Sequence, residues 1–287
     1  MKGDTAANTR LRHSALLVFI SLLWGVAFVA QSAGSDYITP YTFCSLRYLM
    51  GAAVLAPIIP LLDRIGVAHG APKTPQARKR QWLGGAVCGI FLASASLCQQ
   101  MGITLGVASG KAGFLTACYI VLVPVLGLFF RRRCGLRVWI AVAITVCGLY
   151  LLCMNGSFSL QGRDAVVLFC SLLYAMQIMS IDHFVATVDA VRLACIQFLT
   201  AGVVLAVPMA LLEMRGGLTA WCAMFTHAGG WVALLYTGIL STAVAYTGQC
   251  VGQQGVPPAL ASLLMSFESV FSVLAGWLIL GEQLSLR

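Results

Sequence analysis

Ser21-Leu22-Leu23-Trp24 returns as Ser171-Leu172-Leu173-Tyr174. Arg47-Tyr48-Leu49 with Val54-Leu55-Ala56 returns as Gln197-Phe198-Leu199 with Val204-Leu205-Ala206. Both matches share one offset of 150 residues. In the same register Gln99 falls on Gln249, Val123 on Val273, Leu128 on Leu278, and Leu136-Arg137 on Leu286-Arg287, with no gap. The chain thus reads as two copies of one unit. Each copy is strongly apolar and holds an odd number of membrane spans. Two such copies in tandem lie upside down to each other in a bilayer, an inverted repeat of the kind that builds many secondary transporters.

Composition agrees. Sixty per cent of residues are hydrophobic and 9% are charged, against roughly 25% charged in a soluble domain. The mean hydropathy is +0.90, which places the chain in a lipid bilayer. The net charge of +9 does not indicate a nucleic-acid partner, because the basic residues lie mostly in short loops between apolar stretches, where they orient membrane proteins. The eleven cysteines are scattered through apolar segments without a CxxC pair, and read as small packing residues. Basic residues precede the first apolar run, but Ala15 to Ala33 is long for a signal peptide and has a counterpart in the second half. It reads as a retained span.

A helix needs about 20 apolar residues to cross a bilayer core. Nine spans are expected, at approximately 14–34, 40–62, 82–104, 110–130, 137–155, 164–184, 190–212, 231–253 and 258–280. Spans 1–5 form a first repeat over 14–155, and spans 6–9 a second over 164–287. The expected fold class is an all-α integral membrane protein, an inverted repeat of five-helix halves. A tenth helix would begin near Arg287, where the chain ends, and the reading favours truncation. With a cytoplasmic N-terminus, thirteen basic residues fall inside, among them Arg78, Lys79, Arg80 and Arg131-Arg132-Arg133, against four outside, a positive-inside bias. The mirror of that arginine run is Gly281-Glu282-Gln283, opposite in charge. The connection at 63–80 reads as a polar cytoplasmic loop. The stretch at 214–229, with Trp221, Met224 and Phe225, reads as an outer interfacial segment.

The motifs now in view are Leu23-Trp24-Gly25, Leu46-Arg47-Tyr48, Gly113-Phe114-Leu115 with Val121-Leu122-Val123-Pro124, Ser266-Phe267-Glu268-Ser269-Val270, and Leu280-Gly281-Glu282-Gln283-Leu284. In this order, on a five-helix inverted repeat, the chain resembles the drug/metabolite transporter superfamily, specifically its EamA-like branch. The resemblance covers nearly the whole chain. It implies ten helices, both termini cytoplasmic, a central cavity between the halves, and export or exchange of small metabolites, often amino acids. Two departures stand out: helix 10 is absent, and Ser269 follows the glutamate where the family often has proline, which suggests a less kinked span 9.

Glu268 lies near the middle of span 9, where an acidic residue costs several kcal/mol unless paired, protonated or wetted. It is the proton-coupling candidate, or a partner for a substrate amine; the competing reading is a protonated glutamate that holds helices together. Arg47 lies about 10 Å along span 2. It is a candidate to bind a substrate carboxylate, with snorkelling to the surface or pairing with Glu268 as alternatives. Neither has a charged mate, since Arg47 maps on Gln197 and Glu268 on Cys118. Lys111 opens span 4, as an anion attractor or an interface anchor. Amides in hydrocarbon must face partners or water. Ser94, Ser96, Gln99 and Gln100 with Tyr246, Gln249, Gln253 and Gln254 therefore form a polar ladder along spans 3 and 8, read as cavity lining or interhelical glue. Gln99, Tyr246 and Gln249 are its cavity candidates. Trp24, Tyr119, Tyr174 and Gln177 are candidate walls, with a lipid-facing alternative.

Gly85–Gly89, Gly102–Gly106 and Gly248–Gly252 have GxxxG spacing. They read as packing, and a homodimer stays open. No GxSxG, HExxH or Walker loop occurs, so no catalytic residue, metal site, cofactor or enzymatic activity is assigned. The histidines at 13, 69, 183 and 227 lie too far apart for a local metal motif. The sequence thus points to a secondary transporter of a small organic metabolite, amino-acid-like or related. Its partners would be substrate, protons as a coupling option, and lipid. Its place would be the bacterial inner membrane, with alternating access and outward transport. The alternatives are a lipid-precursor or nucleotide-sugar carrier of the same fold, and a non-transporting membrane sensor or assembly subunit.

Overall fold

The computed structural model describes residues 2–68, 70–129, 134–153 and 161–281. The Arg131-Arg132-Arg133 turn, His69, the Glu282-Gln283 mirror and the matched pair member Leu286-Arg287 lie outside them. The described residues form nine long helices: α1 (Lys2–Ser35), α2 (Pro40–Arg64), α3 (Pro75–Thr104), α4 (Ser109–Phe129), α5 (Leu136–Cys153), α6 (Gly162–Val185), α7 (Ala190–Glu213), α8 (Ala228–Gln253) and α9 (Pro258–Leu280). Eight are long and apolar enough to cross a membrane, and the shorter α5 is apolar over Leu136–Leu151. The protein is an all-α membrane protein built as two repeated halves.

Local chemistry sets the boundaries. Pro40, Pro75 and Pro258 open their helices, where the missing N–H costs nothing and φ is already helical. Thr74 caps α3, its Oγ1 accepting from Ala77 N at 3.1 Å. The helix therefore starts seven residues before the expected 82, and the polar connection shrinks to 65–74. Asp164 and Gln161 form a capping box at α6, and Lys111 Nζ pairs with Asp164 Oδ2 at 2.6 Å. Lys111 thus ties α4 to α6. Between α7 and α8 a short helix, Leu218–Ala223, runs over the surface, and Trp221 Nε1 donates to Thr42 Oγ1 at 2.9 Å.

The halves interleave. α1 packs along α8 and α9, α3 along α6 and α7, and α2 along α7 and α8. The α2–α7 pair maps onto itself under the repeat, and its contacts come in swapped copies. Ser45 Oγ donates to Gly202 O at 2.9 Å. Shifted by 150 with the helices exchanged, Cys195 Sγ faces Ala52 O at 4.0 Å. Glu213 at the end of α7 engages Thr42 at the start of α2, and Asp63 at the end of α2 engages Arg192 at the start of α7. Contacts of this kind require the two helices to run antiparallel about a local two-fold axis. At the crossing the backbones nearly touch, since a Cβ on Gly202 would stand 2.6 Å from Leu49 Cγ. Gly85 and Gly89 likewise face Ile196 and Thr200 of α7, within the same chain.

Candidate functional site

α4 and α9 are both interrupted. The break in α4 falls at Cys118, whose N–H bonds back to Leu115 O at 3.4 Å, and the break in α9 falls at Ser266. Proline is therefore not needed to interrupt α9. Ser269 instead donates from Oγ to Gly113 O of α4 at 2.8 Å. In α8 the helix widens to π-helical turns over Tyr236–Tyr246. Such turns frequently mark functional positions. Here the Ser241 carbonyl accepts from Trp24 Nε1 of α1 at 3.2 Å.

These three irregular helices surround one buried cavity between the halves. α1 offers one face to it, Trp24, Ala27, Phe28 and Gln31, spaced as residues on one side of a helix must be. α6 offers the repeat-equivalent face, Tyr174, Gln177 and Ile178. α3 and α8 contribute the mates Gln99 and Gln249, with Ser241 and Tyr246 from α8. α2 supplies Arg47, α4 supplies Thr116 and Tyr119, and α9 supplies Met265 and Glu268. All nine residues singled out from the sequence line this one space: Trp24, Arg47, Gln99, Tyr119, Tyr174, Gln177, Tyr246, Gln249 and Glu268.

Arg47 is 2% exposed and does not snorkel. Its Nη1 donates to Gln31 Oε1 at 3.1 Å and its Nη2 to Tyr48 Oη at 3.0 Å. Its Nε has no partner among the described residues. Burying a charge costs several kcal/mol unless it is paired and hydrogen-bonded, and here two neutral oxygens share that task. No carboxylate pairs with Arg47 among the described residues. Glu268 is 5% exposed, and its Oε1 and the nearby Tyr119 Oη both lack a full hydrogen bond. Arg47 Nε, Glu268 Oε1 and Tyr119 Oη, on three of the lining residues, are buried atoms without a hydrogen-bond partner among the described residues. Buried polar atoms without partners are rare and call for an explanation.

Most of the other polar groups are engaged, although Gln100 Oε1 and Gln253 Oε1, in the same helices, also lack a partner among the described residues. Gln177 and Gln249 exchange amide hydrogen bonds at 3.2 and 3.3 Å. Gln99 Nε2 donates to Thr116 Oγ1 at 3.0 Å. Tyr48 and Ser96 join the lining residues Tyr174 and Tyr246 in a hydroxyl chain, and the Trp24 and Tyr246 rings lie 4.8 Å apart. The ladder is thus only partly cavity lining. Ser94 bonds its own helix at Ile90 O, Gln100 and Gln253 bond backbone carbonyls, and Gln254 is exposed.

Gln31, Thr116 and Ser241 were not singled out from the sequence. Gln31 carries a readable signal, an amide inside an apolar span. Thr116 and Ser241 do not, because a hydroxyl can bond its own helix anywhere.

The room inside is small. The space open to the centre of a water molecule is ≈ 30 Å³, enough for roughly two or three waters at about 10–15 Å³ each.

Similar proteins cover almost the full chain. An "Uncharacterized transporter" of Archaeoglobus fulgidus is 24% identical over 290 residues, covering 99% of this chain and 83% of that protein. The "Uncharacterized transporter YoaV" of Bacillus subtilis is 24% identical over 282 residues, covering 94% and 89%. A solved structure described as "Crystal structure of protein" superposes with a TM-score of 0.70 at 15% identity, over 95% of this chain and 90% of that one. That likeness concerns the fold alone. The model of the EamA-like transporter family matches residues 13–154 and again 164–287, so the chain belongs to the EamA-like transporter family.

Proposed function

We propose that the protein is a secondary transporter that moves a small, amino-acid-like organic metabolite out of a bacterial cell across the inner membrane. The observation that carries this reading is the buried cavity lined by both Arg47 and Glu268, which do not pair with each other and whose Nε and Oε1 have no hydrogen-bond partner among the described residues. A metabolite with a carboxylate and an ammonium group would use both. Arg47 would take the carboxylate and Glu268 the ammonium, or Glu268 would exchange a proton with the passing solution. The aromatic faces of Trp24, Tyr174 and Tyr246 would cover the apolar remainder. Residues 14–155 and 164–287 act as the two repeats, and the N-terminus is cytoplasmic.

A cavity that admits only a few waters has to widen before a metabolite enters. Alternating access supplies that movement. The interleaved packing favours moving units that mix the halves, α1 with α8 and α9 against α3 with α6, in place of spans 1–4 against spans 6–9. A lipid-precursor or nucleotide-sugar carrier would need a larger and more basic cavity, and Arg47 is the one cation among the lining residues. A sensor or assembly subunit would have no use for a buried arginine and glutamate lining one cavity without pairing.

The test is uptake into inverted vesicles carrying the protein. Labelled amino acids and a metabolite pool are offered with and without an inside-acid gradient. Gradient-driven accumulation of one class is expected, abolished in Glu268→Gln with the fold retained. Equilibration that ignores the gradient, with Glu268→Gln fully active, overturns the proton role. No uptake of any class by folded protein overturns the metabolite reading.

A further inference from the structure

α2 begins at Pro40, and Thr39 at its N-cap makes no side-chain capping bond. The first amides of a helix have no acceptor within it. Those of α2 find one on another helix. Glu213, at the far end of α7, accepts from Tyr41 N at 3.0 Å, from Thr42 N at 2.7 Å and from Thr42 Oγ1 at 2.7 Å. Thr42 is buried, and its hydroxyl oxygen also accepts from Trp221 Nε1. The carboxylate thereby sits against the positive end of α2.

The repeat-related end is built differently. Asp63 receives Arg192 Nη1 at 3.0 Å and Nη2 at 2.6 Å. There α7 is already capped by its own Asp189, whose Oδ1 accepts from Arg192 N at 2.8 Å. The ion pair is added to a finished helix end, whereas Glu213 is the cap that α2 lacks. Arg47 stands five residues beyond Thr42, about 7.5 Å along the axis. Between them Ser45 bonds Gly202 O.

We infer that Glu213 is a positioning residue of the cavity: by capping α2 from α7 it sets the register of the two helices and so the depth at which Arg47 faces the cavity. This rests on the transport reading only where transport is measured.

The experiment uses the whole protein in lipid nanodiscs. Amide exchange at 41–44 and modification of Arg47 by phenylglyoxal are followed by mass spectrometry, in wild type, Glu213→Ala, Glu213→Gln and Asp63→Asn. Glu213→Ala is expected to speed exchange at 41–44 several-fold and to raise Arg47 modification several-fold, because the cap and the register are lost together. Glu213→Gln keeps one acceptor oxygen and falls between. Asp63→Asn raises modification of Arg192 and leaves Arg47 at the wild-type level. Faster exchange at 41–44 with Arg47 modification unchanged overturns the inference, as does unchanged exchange. A uniform rise at every arginine also overturns it, since that reports general loosening. If Glu213→Ala does not fold, Glu213→Gln carries the same comparison. With a substrate in hand, Glu213→Gln raises KM and leaves kcat near wild type. A failed substrate search leaves the exchange and modification results standing, so the two readings fail separately.

Discussion

The α2–α7 crossing and the central cavity are made from the same repeat, and they have treated its symmetry in opposite ways. At the crossing four contacts fall into counterpart pairs: Ser45 with Gly202 O and Cys195 with Ala52 O, Glu213 with Thr42 and Asp63 with Arg192. In the cavity the two charged groups have none, because Arg47 answers to Gln197 and Glu268 to Cys118. Packing at a two-fold axis constrains both copies of a position together, since each copy touches the other's neighbours. A ligand that is not symmetric gains nothing from equal walls. The scaffold kept the repeat, and the charged positions of the cavity are where the copies diverged.

Substitutions that restore symmetry, or remove one member of a paired contact, test this contrast. The largest effect is expected from Arg47→Gln, which gives the first half the residue of the second. It removes the one lining cation and should lower transport by about a hundredfold, the order expected when a charge-assisted contact of a few kcal/mol is lost. Vesicle uptake of the identified substrate measures it, and near-normal uptake would sink the role given to Arg47. Next comes Gly202→Ala, which copies Ala52 across the axis. The new Cβ meets Leu49, so destabilisation of about 1–3 kcal/mol is expected, read as a lowered midpoint of thermal unfolding in detergent. An unchanged midpoint would mean that the crossing relaxes freely.

Arg192→Gln opens the ion pair with Asp63. Its partner carboxylate is 30% exposed, so only a small destabilisation is expected, and added salt should narrow the gap to wild type. A gap that ignores salt would argue against an ionic origin. Smallest is Cys195→Ser, which replaces the long sulfur contact by the oxygen donor of its mate Ser45. A gain of about 0.5 kcal/mol is expected. A loss would show that the sulfur packs better than the hydroxyl bonds.

Much of the architecture was legible in the residues. The offset of 150 announced the repeat, and the helix limits fell close to the expected spans because Pro40, Pro258 and the apolar runs mark them locally. The cavity residues could be chosen because Gln99, Gln249, Arg47 and Glu268 have few places to go inside an apolar span except inward. What they bond was not legible. Arg47 has three open readings on paper, a substrate carboxylate, snorkelling and Glu268, and the structure gives it Gln31 and Tyr48. Glu213 went unnoticed, since a carboxylate at a helix end reads as an ordinary solvated charge until the helix start that it caps is seen beside it. The break in α9 was missed for a related reason. Proline was the expected cause, whereas a tightened turn at Ser266 does the same work with a residue type that carries no such signal.

The interleaving of the halves also bears on how the chain is made. α3 packs along α6 and α7, and α1 along α8 and α9, all of which are synthesised later. The start of α2 waits for Glu213, which follows it by about 170 residues. During synthesis the early helices therefore stand in the bilayer beside lipid, with small residues and amides uncovered, until the second copy arrives. Biogenesis is then a single late closure and not the stacking of two finished halves, and a first repeat expressed by itself would be an open shell.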